Sequence, residues 1–227
     1  MSDSQAPGAS QSRYELPAGA TRIVLVRHGA ARVMGESEPL DLVDGHNDPP
    51  LAAAGRDQAQ AVGDRLREEG PQRIFVSPLR RTAETAAPLA ASLGLEPEVL
   101  PELREVHLGE WEGRYAHRVA SRDPLLARVM AEQRWDVIPG AEPTAAFQAR
   151  VATALERVVA TTGPGGSAAV FAHGAVIAES CRAATGSQGL AFLFGENASL
   201  TRLAHLGEGR WLLRGFNDVS HLPDRLS

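Results

Sequence analysis

Arg27-His28-Gly29, Ser77-Pro78-Leu79 with Arg80-Arg81, Glu105, and His173-Gly174 occur in that order along the chain. Together they combine imidazoles, fixed cations and an acid. That set suits phosphoryl transfer. A phosphate monoester is mostly a dianion near neutral pH, its second pKa being about 6. Arginine stays charged and meets such a group with paired N–H donors. A neutral imidazole can attack phosphorus and hold it covalently. A protonated carboxyl can give its proton to the leaving alkoxide, which is typically worth about 10²–10⁴-fold in rate. Glycines let backbone approach an anion closely, and a helix starting near Ala175 would aim its N–H groups at it.

Singly, these residues say little. From composition, Arg-His-Gly is expected roughly 0.07 times in a chain of this length. A lone histidine at a strand end is more often structural, and Glu105 is one of 28 acids. Arg80 and Arg81 would open a helix, where positive charge is unfavourable, and this hints at an anionic partner. The weight comes from four segments that each follow an expected strand.

Those strands come from the hydrophobic pattern. TRIVLVRH (21–28), RIFVS (73–77) and SAAVFA (167–172) are short apolar runs that read as buried strands. EVLPEL (98–103) reads as a further extended segment. Helical spacing is expected over 53–69, 80–94, 143–161 and 176–185, with Gly94 closing the second helix and Pro88 a point of bending. SLTRLAHL and RWLLRGF flank Gly207-Glu208-Gly209, a hairpin signal. The alternation predicts an α/β fold: a mostly parallel central sheet, helices on both faces and a C-terminal hairpin. Ligands in such sheets bind at the carboxyl ends of the strands, where the segments above fall.

Composition narrows the function. The chain has 227 residues, 43% apolar and 22% charged, as in globular proteins. Its net charge of −5 argues against a nucleic-acid partner. The single cysteine, Cys181, excludes a disulfide framework and reads as a small buried apolar residue. All 23 cationic side chains are arginine, which removes every lysine-dependent chemistry. No signal peptide or membrane-length apolar run is visible, so a cytoplasmic protein without a membrane partner is expected. Residues 1–20 read as a disordered tail and 21–227 as a single domain.

The chain resembles the histidine phosphatase superfamily, with its phosphoglycerate-mutase-like fold, on LVRHG (25–29), SPLRRTAETA (77–86), LREVHLGEWEG (103–113) and VFAHG (170–174). The resemblance implies His28 as nucleophile and Glu105, its pKa raised by burial, as proton donor. It implies a phosphate pocket of Arg27, Arg81 and a protonated His173, with Gly174 beside it. Arg81 rather than Arg80 matches by its spacing from Ser77, so Arg80 is expected to face solvent or a salt-bridge partner. A phosphatase acting on a small phosphorylated substrate is implied. The alternatives are a mutase or a phosphate-binding module without activity. Neither metal nor cofactor is expected, since nothing supplies a carboxylate-rich magnesium cage. The oligomeric state stays open, a homodimer included.

Ala30, Ala31 and Met34 stand where family members carry polar residues, so His46 or Asn47 is a candidate to reach the site instead. The surrounding loop carries Glu36, Glu38, Asp41 and Asp44, read as a negative rim that disfavours multiply phosphorylated substrates. Only 25 residues separate Gly113 from Pro139, and the chain ends soon after the hairpin, which favours a phosphatase over a water-excluding mutase. Trp111, Trp135 and Trp211 read as packing residues.

Overall fold

A computed structural model describes residues 14–35 and 37–223. Most of the expected tail, residues 1–13, lies outside them. The core is a six-stranded sheet built around β1 (Thr21–Arg27). On one side β1 pairs in parallel with β6 (Ser167–Ala172), followed by β4 (Arg73–Val76) and β5 (Glu98–Val99), also parallel. On the other side it pairs antiparallel with β7 (Leu200–His205), which forms the expected hairpin with β8 (Trp211–Asp218). Positive φ at Gly207, Glu208 and Gly209 makes the hairpin turn.

Both faces of the sheet are covered, which is why its central strands are apolar without alternation. Val24 and Val26 of β1 pack with Ile74, Val76 and Phe171 beneath α1 (Ala53–Arg67) and α2 (Arg80–Leu93). Ile23 and Leu25 face the other way, with Phe75 and Val170, toward α5 (Thr144–Thr162) and α6 (Gly174–Thr185). Gly94 closes α2 in the left-handed conformation, and α2 runs through Pro88 as one element. Among the described residues no helix is long and apolar enough to cross a membrane.

Register brings the functional segments level. Arg27 lies opposite Ala172, and Val76 opposite Phe171. The residues that follow, His28, His173 and Ser77, therefore meet at one rim. His28 N donates to Ala172 O (3.0 Å), and Ser77 N to Phe171 O (3.3 Å).

The structure departs from the sequence reading in one place and adds elements to it in two others. Of the extended segment 98–103, only Glu98–Val99 pairs. Pro101–Leu103 turns into a 3₁₀ helix, its proline having no N–H for a ladder. The loop after β1 contains a small hairpin, β2 (Leu42–Val43) and β3 (His46–Asn47), turned through positive φ at Asp44 and Gly45. The segment between Gly113 and Pro139 forms α3 (Tyr115–Ala120) and α4 (Pro124–Glu132), after a 3₁₀ turn at Gly109–Trp111. Asp123 caps α4 by accepting from Leu125 N.

One backbone contact fixes the chain just past His28. A Cβ on Gly29 would stand 2.5 Å from Gly55 O, and one on Gly55 would stand 2.1 Å from Ala30 O. Backbone cannot retreat as a flexible side chain can. Gly55→Ala should therefore destabilise the protein by about 1–3 kcal/mol, read as a lower urea midpoint. An unchanged midpoint would mean that the Ala30 carbonyl yields freely.

Candidate active site

His28 is nearly buried at the end of β1, and its orientation is set by backbone. Its Nδ1 lies 2.8 Å from Gly29 O, so Nδ1 carries the proton and Nε2 keeps a lone pair. Its carbonyl accepts from Asn197 Nδ2 (2.9 Å) and Ala198 N (3.2 Å). Gly29 N donates to Thr85 Oγ1 at 3.0 Å. Burial, then the positive charges of Arg81 and Arg27, push the His28 pKa well below the ordinary histidine value. The imidazole is neutral at neutral pH.

His173 follows β6 and is completely buried, its ring centroid 5.3 Å from that of His28. Its Nε2 lies 2.8 Å from Ser77 Oγ, while Nδ1 is buried with no protein partner. When Ser77 donates its hydroxyl proton to Nε2, the ring proton sits on Nδ1 as a free donor. Burial, then Arg81, His28 and Arg27, push the His173 pKa well below the ordinary value too. In the free site this runs against the expected protonated His173: two arginines and a second imidazole in a buried site oppose another positive charge.

The arginines come from different elements. Arg27 ends β1 and donates through one guanidinium arm to Gly195 O, leaving its buried Nε unpartnered. Arg81, in the first turn of α2, donates to Asn47 O (2.9 Å) and lies 3.8 Å from Asp48 Oδ1. Burial lowers both arginine pKa values, but guanidinium remains charged in water at any ordinary pH. Asp48 also accepts from Arg80 N (2.8 Å), placing a carboxylate at the helix start that two arginines would otherwise disfavour. The Arg80 side chain turns outward to Asp41 (3.4 Å) and Glu84 (3.5 Å).

Glu105 stands on the loop after the Pro101–Leu103 turn. Its carboxyl accepts from Val106 N (3.0 Å) and, at the start of α6, from Ala175 N (3.4 Å). Burial raises its pKa, against those bonds and the Arg81 and Arg27 charges. Gly174 lies between the partners: a Cβ there would be 3.7 Å from Arg27 Nε and 3.9 Å from Glu105 Oε2. The loop is held from behind by Arg150 of α5. Its guanidinium donates to the carbonyls of Glu102 (2.8 Å), Arg104 (2.7 Å) and Glu105 (2.9 Å), and pairs with Glu142 at 2.7 Å.

Arg27, His28, Arg81, Glu105 and Gly174 line one cavity of about 650 Å³, with Asn47, Tyr115 and Asn197. His46 instead braces the acid-bearing loop, its Nε2 3.1 Å from Glu105 O and its ring edge-on to His107. Asn47 does reach the cavity, with a buried Oδ1 that no protein group satisfies. Asp48, Tyr115, Arg150 and Asn197 were not singled out from sequence. Asp48, Arg150 and Asn197 act through backbone groups, which leave no spacing signal. The expected negative rim is largely neutralised: Glu38 pairs with Arg32 (2.7 Å), Asp41 with Arg80 and Asp44 with Arg104 (3.1 Å). Glu36 lies outside the described residues. Among the described residues, no group of three or more His, Cys, Asp or Glu is arranged to hold a metal ion.

Residues 23–219 match the histidine phosphatase superfamily (branch 1), and the chain belongs to that family. Phosphoglycerate mutase-like protein 4 of Arabidopsis thaliana is 33% identical over 207 residues, covering 89% of this chain and 87% of its own. A metal-independent phosphoserine phosphatase of the same plant is also 33% identical, over 89% of this chain and 83% of its own. The structure of a mycobacterial glucosyl-3-phosphoglycerate phosphatase with inorganic phosphate superposes with a TM-score of 0.72 at 30% identity, covering 88% of this chain and 99% of that one. The relatives thus include proteins named as phosphatases and proteins named as mutase-like or probable phosphoglycerate mutases.

The Arg150 clamp has a measurable consequence. Arg150→Met would leave Glu142 without its cation, the carbonyls of Glu102 and Arg104 without a donor, and that of Glu105 with His46 alone. A loss of roughly 3 kcal/mol in unfolding free energy is expected, as for breaking other enclosed ion pairs. Part of it should return in the double variant Arg150→Met with Glu142→Gln. No recovery would mean that the carbonyl contacts, and not the ion pair, carry the stability.

Proposed function

We propose that this protein is a metal-independent phosphatase that hydrolyses a small phosphate monoester through a phosphohistidine on His28. What carries the reading is the neutral His28 ring, with its Nε2 lone pair free and Arg27 and Arg81 beside it. In the first step Nε2 attacks phosphorus and the bond to the leaving oxygen breaks. Glu105, whose pKa burial raises, supplies in its protonated form the proton that oxygen needs. Arg27, Arg81 and the Nδ1–H of His173 hold the charge on the phosphoryl oxygens. In the second step water attacks the phosphohistidine while the Glu105 carboxylate takes its proton. Phosphate leaves, and both side chains return to their starting states.

Transfer to a second acceptor, as in a mutase, is the alternative that one set of relatives suggests. Such an enzyme must keep water from the phosphoenzyme. Val33 and Phe194, which line this cavity, are 71% and 67% exposed, which supports an open site and hydrolysis. Steady phosphate release is expected, with little interconversion of 2- and 3-phosphoglycerate.

Two experiments test the mechanism. Rapid quenching with labelled substrate, in the presence of a chelator, should trap acid-labile, base-stable label on His28. His28→Ala should remove both label and turnover. Label on His173, or a strict need for added metal, would overturn the mechanism.

The second experiment is a pH profile with an alkyl phosphate. The kcat/KM should fall as pH rises through the raised pKa of Glu105, because the acid is then lost. On the acid side a first fall is expected near the substrate's own second pKa of about 6, and the fall set by His28 should come lower, well below the usual histidine range, because its pKa is depressed. Glu105→Gln should erase the basic limb and cost on the order of 10²-fold or more with the alkyl ester. The cost should be smaller with p-nitrophenyl phosphate, whose leaving group needs less acid help. Equal losses in single-turnover phosphorylation would remove Glu105 from the acid role.

A further inference from the structure

Besides the arginines and Glu105, the cavity has a lining of a different kind. Seven large apolar side chains are exposed among the described residues. Three of these, Val33, Val119 and Phe194, line this one cavity. They come from the loop after β1, from α3, and from the loop before β7. Apolar residues scattered singly over a surface need no explanation, but three from separate segments around one mouth do. The buried Trp135 and Leu193 continue the same wall inward.

Charge along these walls points the same way. Arg27 and Arg81 belong to the phosphate end. Arg32, the other arginine on the lining, is bound to Glu38 at 2.7 Å. Besides Glu105, two carboxylates line the cavity. Glu112 is held by the backbone N–H groups of Asn47 (2.9 Å) and Leu108 (3.1 Å), and Glu196 stands exposed. A carboxylate or second phosphate on the leaving group would meet these negative charges, and beyond the phosphate end the one arginine among the described lining residues, Arg32, is already paired with Glu38. An uncharged apolar group would lose water against Val33, Val119 and Phe194 at no such cost.

We propose that the site selects esters whose leaving group is an uncharged, largely apolar alcohol, bulky enough to reach Val33, Val119 and Phe194, over esters that carry a carboxylate. This rests on the phosphatase reading above. It sets the chain apart in substrate class from relatives whose names refer to phosphoserine and glucosyl-3-phosphoglycerate.

The test compares kcat/KM for 2-phenylethyl phosphate, methyl phosphate, O-phosphoserine and 3-phosphoglycerate, with p-nitrophenyl phosphate as a general indicator of hydrolysis. All but the indicator have unactivated alkoxide leaving groups, so acid demand is similar. The phenylethyl ester should exceed both carboxylate esters by at least about tenfold, with methyl phosphate between. Phe194→Ser and Val33→Ser should cut that advantage several-fold through KM, with kcat less affected. Equal rates, a preference for the carboxylate esters, or substitutions that slow all esters alike would overturn the proposal. If p-nitrophenyl phosphate is hydrolysed and no preference exists, only the leaving-group assignment falls. If nothing is hydrolysed, the phosphatase reading falls and this inference with it.

Discussion

Two guanidinium groups enclosed side by side at one rim of the sheet set the terms for every other group there. Taking a fixed charge out of water costs several kcal/mol unless partners replace the lost hydration. Arg27 and Arg81 recover part of this from the carbonyls of Gly195 and Asn47. A lysine in such a place could shed its proton, but arginine cannot, so the positive field persists. That field helps keep both imidazoles neutral and works against the burial that raises Glu105. One environment thus pushes the pKa values of both imidazoles down and that of a carboxyl up, toward each other from intrinsic values of the opposite order.

Position is achieved in two different ways. The histidines and Ser77 directly follow parallel strands, and the ladder register alone sets them level. Glu105 has no strand beneath it, since the sheet ends at Val99 on that side and the chain turns away at Pro101. Its loop needs fastening from outside, and Arg150 and His46 supply it by bonding to loop carbonyls. The acid is therefore the member of the set that depends most on side chains far from it in sequence.

That division also marks what could be read from the sequence. The residues at β1, β4 and β6 were legible because a short apolar run announces a buried strand and its last residue announces the rim. The long helices were legible from their spacing, and the family resemblance supplied the roles. What escaped is short or indirect. Strands β2 and β3 have two residues each, and α3 has six, too few for periodicity to emerge. Pro101 broke a segment that β-branched and apolar residues made look extended. Two acids of the loop looked unpaired because their partners are distant: Arg80 lies 39 residues from Asp41, and Arg104 lies 60 from Asp44. Asn197 and Arg150 bind carbonyl oxygens, which every residue possesses, so nothing in the chain marks their targets.

The central place of β1 also governs how the chain can fold. Its neighbours, Ser167–Ala172 and Leu200–His205, lie near the other end of the sequence. Pairing over such separations makes folding slow, because the entropy of closing the intervening chain is lost before the contacts form. On a ribosome adding about 5–20 residues per second, β1 waits on the order of ten seconds or more for both partners to be made. Through that interval TRIVLVR is an unpaired apolar edge, open to other chains. The strand that leads into His28 is thus open to aggregation during synthesis, and production of active protein should respond to anything that shields it until Leu200–His205 emerges.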